Sequence, residues 1–76
     1  MVQDIYEAEA EDNYIANRNH FINLGLVLGD AYRIGLPQAM IDEVTMKVSI
    51  QAKKMYDAFE ALTQLRERRD NDTTIH

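Results

Sequence analysis

Two histidines and two spaced pairs of carboxylates are the side chains here that could carry out chemistry. An imidazole can move protons near neutral pH, but it needs a nucleophile or an orienting carboxylate within reach. His20 has no nucleophile at a readable spacing, and His76 falls on a segment expected to be loose. A structural or surface role is the stronger reading for both. Asp4-x-x-Glu7 and Asp57-x-x-Glu60 place carboxylates one helical turn apart, as a divalent-cation site would need. Glu11 comes near Glu60 if the chain folds back on itself. The Glu-x-x-His repeats of helical di-metal sites are missing, so a small metal-dependent hydrolase is the remote reading. There is no P-loop, dinucleotide glycine fingerprint or calcium loop. No catalytic residue, cofactor ligand or metal ligand is assigned, and the chain is read as a non-enzyme.

Nucleic-acid binding fares little better. Net charge is −5, with 13 acidic against 8 basic residues, a poor start for neutralising phosphates. Lys53 and Lys54 with Arg66, Arg68 and Arg69 form the basic surface. Tyr6, Tyr14, Tyr32 and Tyr56 are scattered along the chain with no basic groove around them, as base stacking would require. Asn71-Asp72-Thr73 matches the glycosylation sequon, but Met1-Val2-Gln3-Asp4 lacks the start of a secretion signal, so the match is read as incidental.

The elements that must position these residues are helical. Apolar residues make up 46%, proline occurs once and cysteine not at all, so the fold must stand on packing alone. The run Leu24–Leu28 is far too short to span a bilayer. These features lead to the expectation of a soluble, cytoplasmic protein.

The first helix is expected over about 3–34. Its acidic beginning carries a thin stripe of Ile5, Ala8, Tyr14 and Ile15. From Phe21 the pattern turns apolar on most sides, as for a helix covered on most sides. Gly25 and Gly29 share one face. They form either a close-contact notch in an unbroken helix or the sign of an early helix end, and the notch is favoured. Ile34-Gly35-Leu36-Pro37 is the stop signal: glycine past a helix end, then proline opening the next.

The second helix is expected over 37–69. Ile41, Val44, Val48, Gln51, Met55, Ala58, Leu62 and Leu65 alternate spacings of three and four, which describes a coiled-coil-like seam. Thr45, Ala52 and Phe59 widen that seam on one side. A turn this short makes the two helices antiparallel. Residues 1–70 then form a single hairpin domain, and 71–76 a disordered tail.

Folding the chain back places the acidic N-terminus beside Arg66, Arg68 and Arg69. It also brings Asn17 and His20 toward Gln51, a candidate polar layer that fixes register. Met46 and Ile50 sit on the otherwise polar side of the second helix, near the part of the first that is apolar all round. Gly25, Leu26, Val27, Gly29, Met46 and Ile50 are therefore the candidate oligomer or partner interface.

One seam between two helices cannot supply the apolar burial that ordering the whole chain demands. The sequence thus predicts an all-α antiparallel hairpin that dimerises into a four-helix bundle. In length and helix count alone it resembles small plasmid RNA-binding hairpins that dimerise in this way. The functional expectation is a small interaction or regulatory protein acting as a homodimer on a protein partner. A nucleic-acid regulator of hairpin-dimer type is the alternative.

Overall fold

The computed structural model describes the backbone of residues 2–75 and the side chains of residues 5–70. Helix α1 spans Val2–Ile34 and helix α2 spans Gln38–Ile75. They pack along their length as an antiparallel hairpin about 59 Å long and 14 Å across. The radius of gyration is 17.3 Å, against about 11 Å for a compact chain of this length. The molecule is a rod.

The turn follows from three residues. Gly35 takes φ +74°, which costs glycine little and a side-chain-bearing residue more. Its amide donates to the Tyr32 carbonyl at 3.2 Å, and the Leu36 amide donates to the Ala31 carbonyl at 3.0 Å. This Schellman pattern satisfies carbonyls that the helix end leaves open. Leu36 folds back, half-buried. The Pro37 carbonyl accepts from the Met40 and Ile41 amides and starts α2.

All eight expected seam residues of α2 are buried or half-buried. Ile41, Ala58 and Leu62 form the core with Ala31. The α1 side of the seam corrects the sequence-based stripe. Ile5 and Ala8 are exposed, while Glu7, Ala10, Tyr14, Asn17, Phe21, Leu24, Leu28 and Ala31 face α2. Those eight also alternate steps of three and four. The regular seam of α2 selects this face even though Glu7 and Asn17 occupy two of its positions. Tyr14 meets Phe59 with ring centroids 5.5 Å apart.

Helix α1 is unbroken through Gly25 and Gly29. A Cβ added at either would meet nothing within 4 Å, so neither glycine is needed for contact inside the hairpin. Helix α2 is also longer than its periodicity suggests, continuing past Arg69 to Ile75. Residues 71–75, expected in a tail, are thus helical in backbone. Their side chains lie outside the described residues. No glycine or proline follows Pro37, so polar residues weaken the helix without ending it.

Candidate interaction surfaces

With both seams fixed, helical geometry assigns every other position to a flank or to the back of a helix. Positions one after the inner seam residues form one side, here the glycine flank. It carries Ile15, Ile22, Gly25 and Gly29 from α1, with Thr45, Ser49, Ala52, Tyr56 and Phe59 from α2. Tyr14, Met55, Tyr56 and Phe59 line a shallow depression of about 220 Å3 there. The opposite side is the lysine flank, where His20, Leu24, Lys47, Ile50, Gln51 and Lys54 line one groove and Asn13, Asp57 and Ala61 belong to the next.

The six residues read as an interface are all exposed, with Leu26 at 64% and Met46 at 65%. They do not share one patch. Gly25 and Gly29 lie on the glycine flank, Val27 and Ile50 on the lysine flank, and Leu26 and Met46 on the two backs. Numerical proximity across the turn brought them together in sequence, but the phase of α1 was hidden by its mixed seam.

The polar layer is built from two of its three candidates. Gln51 is 4% exposed. Its Nε2 donates to the Asn17 Oδ1 at 2.9 Å and to the Asn17 carbonyl at 3.0 Å. Asn17 Nδ2 in turn donates to the Asn13 carbonyl at 2.8 Å. Among the described residues no buried side-chain nitrogen or oxygen lacks a partner. His20 lies at the rim of the same groove, exposed.

At the open end, Glu7 has only 14% of its side chain exposed and meets two arginines. Arg69 approaches it at 2.8 Å and Arg66 at 3.5 Å, and Arg66 also lies 3.8 Å from Glu11. Lys53 pairs with Asp57 at 3.1 Å and Lys47 with Glu43 at 3.8 Å. Much of the basic surface is thus matched by carboxylates of this same chain. Arg68 is exposed.

The carboxylate pairs do not assemble. Among the described residues no three of His, Asp and Glu are grouped so as to hold a metal ion. Glu60 sits on the back of α2, Asp57 faces Lys53, and the side chains of Asp4 and His76 are outside the described residues. Tyr6, Tyr32 and Tyr56 are exposed, on three different stretches of the rod. Among the described residues, no helix is long and apolar enough to cross a membrane.

Sequence reasoning missed the glycine flank as a unit. Its signal was available once α1 was phased by α2: between residues 43 and 65 that flank of α2 carries no charge. Compared with known protein families, curated proteins and solved structures, the chain matches none.

Proposed function

We propose that this chain is a small non-enzymatic interaction protein that works as a homodimer and through contacts with a protein partner. One observation carries the reading. Twelve large apolar or aromatic side chains among the described residues stand about half exposed or more, while the buried apolar core is Ala31, Ile41, Ala58 and Leu62. A core this small leaves much of the chain's apolar surface to be covered from outside, and exposed apolar surface of this extent serves as contacts. The ion-paired state of Arg66, Arg69 and Lys53 gives no support to a phosphate-binding surface, which uses uncompensated cations.

Sedimentation equilibrium of the purified chain across a wide concentration range tests the reading. A self-associating species of twice the chain mass is expected. A monomer at every concentration, folded and helical, would remove its basis.

A further inference from the structure

We propose that the glycine flank is where a second copy of this chain packs, with the two hairpins running in opposite directions. Each turn then lies beside the other copy's open end. This rests on the homodimer reading above and names the face and the orientation it leaves open.

Area argues for a second copy. The chain exposes 5892 Å2, whereas a folded monomer of 8.8 kDa typically exposes about 4,800 Å2. Scaling the same relation to two chains leaves about 4,000 Å2 per copy, so each would bury about 1,900 Å2. That is the range of obligate homodimers.

Charge selects the face. On the glycine flank, Arg18 is the one charged residue of α1 between residues 12 and 32, and α2 offers none between 43 and 65. The lysine flank carries Asp30, Glu43, Lys47, Lys54 and Asp57 over the same length. Two hydroxyls on the glycine flank already bond to the backbone of their own helix. Thr45 Oγ1 donates to the Ile41 carbonyl at 2.8 Å and Ser49 Oγ to the Thr45 carbonyl at 3.1 Å. These two groups are therefore cheap to dehydrate. Ile15, Ala52 and Thr63 on this side are already half-buried, so new contacts continue the existing core.

Side-chain size selects the direction. The middle of the turn half is small, with Gly25, Gly29, Thr45 and Ser49, and Tyr32 stands at its end. The open half carries Ile15, Tyr56 and Phe59 in its middle and the small Ala8 at its end, so large and small positions alternate in opposite order. Two copies in the same direction set small against small and large against large, opening a gap at one end and splaying the other. In opposite directions, centred at about residue 20 of α1 and about residue 54 of α2, the sizes interlock. Ile15 covers Gly25 of the second copy, Phe59 covers its Ser49, and Tyr56 covers its Ala52. Asp42 comes beside Arg66 of the second copy, pairing opposite charges at both ends of the interface. The alternation keeps the two layers evenly spaced, as close packing requires.

Two measurements test this. Because the chain has no cysteine, Gln38→Cys carries a single spin label at the turn. Pulsed dipolar spectroscopy of the dimer is expected to give a label separation of about 48 Å along the bundle. A separation below about 25 Å, as for turns at the same end, overturns the orientation. Ala52→Glu is expected to weaken dimerisation about 100-fold or more, because it buries an unpaired charge, while Ile50→Glu on the lysine flank leaves it intact. The reverse pattern overturns the face but keeps the homodimer reading. A wild-type monomer overturns both. Should Ala52→Glu fail to fold, the spin-label distance in the otherwise native chain still decides.

Discussion

Truncating Asn17 to alanine would leave Gln51 Nε2 with a single partner, the carbonyl of residue 17, in a seam that admits little water. Asn17→Ala is expected to lower the unfolding free energy by about 1 kcal/mol, read by urea denaturation. Gln51→Leu is expected to cost less, because it removes the buried polar group along with its need. Equal stability of Asn17→Ala and the parent would show that the layer does not contribute. Within one hairpin Gly25 and Gly29 both face open space. Gly29→Ala meets open space and is expected to stabilise the helix by about 1 kcal/mol in thermal or urea melts. Gly25→Leu is expected to loosen the proposed dimer in sedimentation without reducing helicity. The sequence disclosed Gln51 as a polar exception within an apolar repeat. It could not disclose that Asn17, rather than His20, would answer it, since both fall within one turn of the matching level.

At the scale of the elements, α2 was legible because its apolar seam is nearly uninterrupted, and the turn because Gly35-Leu36-Pro37 combines two stop signals. Helix α1 was not, for a physical reason. Its seam contains Glu7, Ala10 and Asn17, while Ile5, Ile22 and Leu26 point elsewhere, so hydrophobicity alone marks the wrong face. The partner helix sets the phase. Gly35→Ala is expected to destabilise the hairpin by about 1 kcal/mol, since alanine resists the left-handed conformation observed there. Glu7→Gln is expected to cost about 1 kcal/mol, with the loss shrinking in about 1 M salt, where the half-exposed Arg66 and Arg69 are screened. Chemical denaturation at low and high salt checks both.

At the scale of the molecule, the proposed homodimer ties the stability of a rod with four core apolar residues among those described to association. The melting temperature is expected to rise by about 5–10 °C for a hundredfold increase in concentration, from the mass-action term and the usual enthalpy of a bundle this size. A concentration-independent melt would indicate a self-sufficient monomer. The turn has a bearing on how such association proceeds. The seam of α1 ends at Ala31 and that of α2 begins at Ile41, one residue short of the spacing that would continue a single heptad series. Straightened into one helix, the two halves would present their apolar faces in different directions, and Pro37 would sit in its interior. Two copies would therefore have little incentive to trade helices with each other. In the proposed homodimer they would meet and part as intact hairpins, which would keep assembly reversible and free of entangled, domain-swapped products.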